Sequence, residues 1–201
     1  MARPVNLEAR ARILDAAEIC FAENGFSGTS IRDVGRVLQI GNSSLLHHFP
    51  TKRRLYAAVL ERVAVTLDAL SEVADHPDAA EQLRSLHDAV FDWHRDHPLY
   101  ARLVVRELSD NAGRAEAAGR WYFEGPIRKA AAVLERGQRD GVYRDGDPLL
   151  QLFQLIGAVG YFFAGLPTLA GIFGDEQTVL VTRFRAESWR QFRAALLVEA
   201  P

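Results

Sequence analysis

Apolar residues along the 201-residue chain recur at intervals of three and four, and β-branched alternation is nearly absent, so the pattern predicts helices throughout. Ile13, Leu14, Ala17, Cys20 and Phe21 make the stripe of a first helix over 8–24, closed by Asn24-Gly25. Cys20 on that stripe reads as a small hydrophobe filling the core. Thr29 and Ser30 offer an N-cap for a second helix over 30–38, with Ser30 and Asp33 spaced as a capping box and Ile31, Val34 and Leu38 facing inward. Gln39-Ile40-Gly41 is a tight turn, and a third short helix over 42–48 turns Leu45 inward. Thr51 caps a long fourth helix reaching about Ala74. Further helices are expected over 78–96, 98–110, 114–139, 147–166 and 176–198, with Pro126 kinking or splitting the third of these.

From Leu149 to Gly174 the chain carries 26 residues without a charge, long enough to span a bilayer. Gln151, Gln154 and Pro167 interrupt it, and no aromatic belt or basic cluster brackets it. The stretch reads as a buried helix of a soluble protein, not a membrane anchor.

Composition narrows the picture. The chain is 48% hydrophobic, enough to bury a core, so disorder is excluded as the dominant state. A lone cysteine forms no internal disulfide, and the N-terminus lacks a signal-peptide pattern, so a cytoplasmic location is expected. The net charge of −2 hides an asymmetry. Residues 1–55 hold eight Lys/Arg against five Asp/Glu, whereas residues 56–201 hold 16 against 21. A basic head on an acidic body suggests that one end meets a polyanion.

Two short helices separated by a tight turn are the helix-turn-helix pattern, whose second helix lies in the major groove. Gly35, Ile40 and Leu45 are small or aliphatic where the two helices must meet. Asn42, Ser43, Ser44, His47 and His48 supply hydrogen-bonding side chains on the outer face of the third helix. The run Ile13-Leu14-Asp15-Ala16-Ala17, then Phe21-Ala22-Glu23-Asn24-Gly25-Phe26, then Thr29-Ser30-Ile31-Arg32-Asp33-Val34, then Leu45, His47-His48-Phe49 and Lys52, resembles the N-terminal domain of the TetR family of bacterial transcriptional regulators. The likeness covers about residues 8–62. It implies an all-α fold, with a three-helix DNA-binding domain over 1–55 joined by a long helix to a helical effector-binding and dimerisation domain over 56–201.

The resemblance also implies roles. Thr29 and Ser30 cap the second helix and touch phosphate; Asn42, Ser43 and Ser44 face bases; His47 and His48 lie near the backbone; Lys52 and Arg53 bind phosphate. Three positions depart from the family pattern: Gly41 replaces a capping Ser, so either Gly41 or Asn42 caps the third helix; Leu46 replaces a Tyr; and Asn42 replaces a Lys. The partners implied are a double-stranded operator with two-fold symmetry, a second copy of the chain, and a largely apolar small-molecule effector that shifts the spacing of the two reading heads through the fourth helix.

The body is less specific. Trp93, His94, Arg106, Trp121, Tyr122, Phe153 and Gln154 are candidate effector contacts, as polar or aromatic groups on apolar stretches. Gly157, Gly160 and Ala164, with Leu180, Phe184, Trp189 and Phe192, are candidate dimer contacts, the small residues permitting close helix approach. The run from His87 through Asp88, Asp92 and His94 to His97 is rich in metal-ligand types, but its members point differently around a helix and read as structural or surface groups. No cofactor motif and no nucleophile–base–orienter set is legible, so catalysis has no support. The function expected is a sequence-specific DNA-binding regulator, a repressor released by a small molecule. The rivals are a DNA-binding protein without an effector and a helical enzyme that keeps the head fold.

Overall fold

Among its described residues — 4–68, 76–110 and 122–198 — the computed structural model holds nine α-helices and no strand. They are α1 (Pro4–Gly28), α2 (Ile31–Leu38), α3 (Asn42–His48), α4 (Lys52–Leu67), α5 (Ala79–Asp96), α6 (Pro98–Asp110), α7 (Glu124–Arg139), α8 (Pro148–Phe173) and α9 (Gln177–Leu196). The chain divides into two compact units. The first comprises Met1–Ala64 and Arg102–Tyr122, and the second Val65–Ala101 and Phe123–Pro201. The unit that holds the helix-turn-helix therefore runs past residue 55 and takes in most of α6.

In the first unit the core is made by Ile13, Leu14, Ala17 and Phe21 of α1, Val34 of α2, Leu45 of α3, Leu55, Val59, Leu60 and Val63 of α4, and Leu103 of α6, all buried. α1 continues beyond Asn24 but bends at Gly25, whose φ of 71° and ψ of 176° lie in a region essentially reserved for glycine. The turn between α2 and α3 is closed by Ile40 N–H donating to Gly35 O at 3.0 Å, with Gln39 in the left-handed region. A Cβ on Gly35 would lie 3.1 Å from the Ile40 carbonyl oxygen, which is why the second helix carries glycine where its backbone meets the turn.

In the second unit α5 buries Leu83, Leu86, Val90, Phe91 and Trp93, while α7 buries Ala130, Val133 and Leu134. α8 and α9 meet through Phe162, Leu166 and Leu180, and Phe184 of α9 lies parallel on Phe162 at 3.9 Å. Behind α7 the chain returns over Gly137, where a Cβ would fall 2.0 Å from the Tyr143 ring. Tyr143 donates to Ala79 O (2.8 Å) and forms an isolated antiparallel bridge with Leu197.

Two further boundaries differ from the pattern's expectation. α7 begins at Glu124, so Pro126 lies in its first turn, where a missing N–H breaks no intrahelical bond. Residues 114–121 of the expected helix, and 69–74 of the expected fourth helix, lie outside the described residues. α8 does not stop at Leu166. It runs through Pro167, which is exposed, and closes at Gly174 in the left-handed region.

The uncharged stretch is therefore one helix, long and apolar enough to cross a membrane by length and composition. It is not buried all round. Leu150, Phe153, Tyr161 (82% exposed) and Ile172 leave an apolar face uncovered in the single chain.

Candidate nucleic-acid interface

Local chemistry fixes the reading head. Ser30 is the N-cap of α2 in a complete capping box: Asp33 N–H donates to Ser30 Oγ (3.2 Å), and Ser30 N–H donates to Asp33 Oδ2 (2.8 Å). Ser30 Oγ also donates to that carboxylate at 2.7 Å, and these bonds hold the Asp33 carboxyl below the usual carboxylate range. The hydroxyl expected to touch phosphate is thus already donating within the protein. Thr29 departs further from expectation. It is 2% exposed, and its Oγ1 lies 3.0 Å from Cys20 O and 2.8 Å from Gly25 O. Its side chain secures the bend in α1 and is not presented to DNA.

Gly41 is the N-cap of α3, with extended backbone and no side-chain bond, which leaves the Asn42 side chain uncommitted. Asn42, Ser43, Ser44 and His47 are all exposed. Among the described residues, Asn42, Ser43 and Ser44 have no side-chain hydrogen-bond partner. His48 is half-buried, its ring edge-on to His47 at 5.6 Å. Leu46 is exposed on the same helix. Thr51 Oγ1 accepts from Arg54 N–H (3.2 Å) at the start of α4. Lys52 Nζ stands 4.4 Å over the Phe26 ring, and Arg53 is exposed. Serines, an amide, imidazoles and cations on one surface can hydrogen-bond base edges and neutralise phosphates.

The expected effector residues are not gathered in one place. Trp93 and His94 lie together, rings edge-on at 5.0 Å, with Phe163 6.2 Å from His94. Trp93 Nε1 donates to Thr66 Oγ1 (3.1 Å), and His94 Nδ1 donates to Val90 O (2.7 Å). Burial pushes the His94 pKa below its ordinary value. Tyr122 is half-buried, Trp121 lies outside the described residues, and Phe153 and Gln154 sit on the exposed face of α8. Arg106 belongs to the first unit, where it donates to two α1 carbonyls.

The expected dimer residues also divide. Gly157 and Ala164 are exposed, on the same face of α8 as Phe153 and Tyr161. Gly160, Leu180 and Phe192 are buried in the single chain, whereas Phe184 and Trp189 are half-buried, Phe184 stacked on Phe162 and Trp189 beside His87.

The acidic and imidazole groups of α5 are engaged as structural pairs. Arg185 of α9 bonds Asp88 (3.2 Å) and Asp92 (2.9 Å), and Arg95 bonds Asp92 at 2.7 Å. His87 is fully buried, with Nδ1 3.0 Å from Asp88 Oδ1 and Nε2 2.8 Å from Ser188 Oγ. A carboxylate only accepts, so Nδ1 carries the proton and Nε2 accepts from Ser188. The order Ser188–His87–Asp88 was invisible in the sequence because 101 positions separate the serine from the histidine. Ser188 is buried in the middle of α9 beside its own helix's Arg185 carbonyl, and the three groups tie α9 to α5. Among the described residues no three His, Cys, Asp or Glu side chains are grouped to hold a metal ion.

The family profile described as "Bacterial regulatory proteins, tetR family" matches residues 13–59, and that described as "Tetracyclin repressor-like, C-terminal domain" matches residues 80–198, more than half of the chain. The HTH-type transcriptional repressor NicS of Pseudomonas putida is 23% identical over 158 residues, 77% of this chain and 74% of its own. The HTH-type transcriptional repressor SCO4008 of Streptomyces coelicolor is 27% identical over 163 residues, 81% of this chain and 82% of its own. A solved bacterial regulatory protein in the tetR family from Rhodococcus RHA1 has the same fold, with a TM-score of 0.71 at 22% identity, covering 90% of this chain and 95% of that one.

Proposed function

Because the chain belongs to the TetR family of bacterial regulatory proteins, we propose that it is a transcriptional repressor whose two copies grip a two-fold symmetric operator and are released by a small, largely apolar effector. Regulators of this family are soluble proteins that bind DNA operators as dimers, and the matched relatives are transcriptional regulators rather than enzymes. A cytoplasmic location fits that task.

The observation that carries the reading is the outer surface of α3. Asn42, Ser43, Ser44 and His47 stand exposed on a helix locked in place by Leu45, beside Lys52 and Arg53 at the start of α4. In this reading the serines and Asn42 contact base edges, exposed Leu46 meets thymine methyl groups, and the cations set register on the phosphates. The exposed apolar face of α8, with Gly157 and Ala164 flanked by Phe153 and Tyr161, supports a second copy as its cover, since a patch of this kind on a lone protomer marks an interaction surface. The aromatic neighbourhood of Trp93, His94 and Phe163 supports an apolar effector.

The test is selection of duplexes from a random-sequence pool by the full chain, at stated salt. The reading expects an enriched inverted repeat; recovery of the pool without enrichment would overturn it.

A further inference from the structure

Resting on that DNA-binding reading, we propose that Arg106 and Glu107 of α6 are positioning residues for operator recognition: together they clamp the bend in α1 and the base of α4, and so fix the orientation in which α3 is presented.

The clamp has two prongs on adjacent residues. Arg106 donates from Nε to Ala22 O (3.1 Å) and from Nη2 to Glu23 O (2.9 Å). These carbonyls lie where α1 loses helical backbone at Gly25, and a helix end leaves carbonyls in need of donors and favours a cation. The Cys20 carbonyl nearby takes Asn24 Nδ2 at 3.2 Å and the Thr29 hydroxyl at 3.0 Å. Among the described residues Arg106 has no carboxylate partner, so its guanidinium is committed to the bend. Glu107, 5% exposed, accepts from Tyr56 Oη of α4 at 2.7 Å. The Tyr56 ring meets Phe21 and Phe26, one on each side of the bend, at 4.8 and 5.0 Å, and Lys52 stands over Phe26.

What the clamp holds follows from chain order. Thr29 is bonded back to the bend, Ser30 caps α2 directly after it, and α2 holds α3 through Gly35, Ile40 and Leu45. A loosened bend therefore tilts α2 and α3 together, while leaving the surface groups of α3 and α4 intact. Base-edge hydrogen bonds tolerate little displacement, whereas phosphate attraction tolerates much. The clamp should thus govern discrimination between sequences and leave general affinity alone.

The experiment measures Kd for the duplex selected by the wild-type chain and for a scrambled duplex of equal length and composition, over a salt series. Arg106→Met is expected to weaken binding to the selected duplex about tenfold, leave the scrambled duplex unchanged, and keep the same salt slope; Arg106→Lys should recover part of the loss. Tyr56→Phe removes only the hydroxyl and should cost several-fold on the selected duplex alone. Equal weakening on both duplexes, a salt slope reduced by about one, or no change would each overturn the proposal. Should Arg106→Met not fold by circular dichroism, Arg106→Lys and Tyr56→Phe decide by the same criteria. A wild-type chain that selects no duplex refutes the DNA-binding reading instead, which keeps the two failures apart.

Discussion

Side-chain partners sort the residues proposed to face DNA into two roles. Ser44 is exposed and lacks a hydrogen-bond partner among the described residues, whereas Lys52 is a cation poised over Phe26. Ser44→Ala should change preference among sequences by about 1–3 kcal/mol per affected base pair; Lys52→Ala should weaken all duplexes alike and lower the salt slope by about one. Titration with selected and scrambled duplexes reads both effects. The buried imidazoles make a second prediction at this scale. Burial pushes the pKa of His87 and of His94 below the ordinary value near 6.5, so the folded chain binds fewer protons than the unfolded one as the pH falls below that value. Their contribution to stability is complete above about pH 6.5 and is lost on acidification beneath it. Thermal midpoints should therefore fall as the pH is lowered from 7.5 toward 5, and His87→Gln or His94→Gln should flatten that slope. Asp33, whose pKa is lowered from 3.8, acts at more acidic pH and does not blur the window.

The helices were legible where the signal is local. The capping box at Ser30, the turn at Gln39-Ile40-Gly41, the span of α3 and the cap at Thr51 all rest on residues within four positions of one another. What stayed hidden was set by partners far along the chain. Arg106 reads as a polar group on an apolar stretch, and nothing nearby shows that carbonyls 83 and 84 positions away await it. Pro167 reads as a stop, because sequence does not reveal that it lies on the exposed side of α8 within a continuing helix. Thr29 and Ser30 read as a matched hydroxyl pair, yet one is buried under the bend and the other donates to Asp33. The bend itself is the sharpest test of an element. Gly25→Ala would force an L-residue into a glycine-only region and set its Cβ 3.2 Å from Arg106 Nη1. A loss of about 1–3 kcal/mol in denaturant unfolding is expected, and a neutral effect would refute the geometry.

At the scale of the molecule, the fold class followed from periodicity alone, and the function from a resemblance confined to the first third of the chain. The second unit is less legible in principle, since a helical body that packs its own core uses the same residue types as one that lines a cavity or meets a copy. Phe184, Trp189 and Phe192 show this: they read as a seam, and in the single chain Phe192 is buried while Phe184 and Trp189 lie half-buried against the unit's own aromatic groups. The apolar face of α8 is the complementary case, for uncharged sequence read as wholly buried is half uncovered. That uncovered face and the exposed surface of α3 make one joint demand, a paired protein on paired half-sites. Sedimentation of the full chain with its selected duplex, across a salt series, tests that demand most directly. The account predicts two protomers per duplex, tighter binding than to a scrambled duplex, and affinity that falls steeply with salt; a single protomer per duplex, or equal affinity for both sequences, would contradict it.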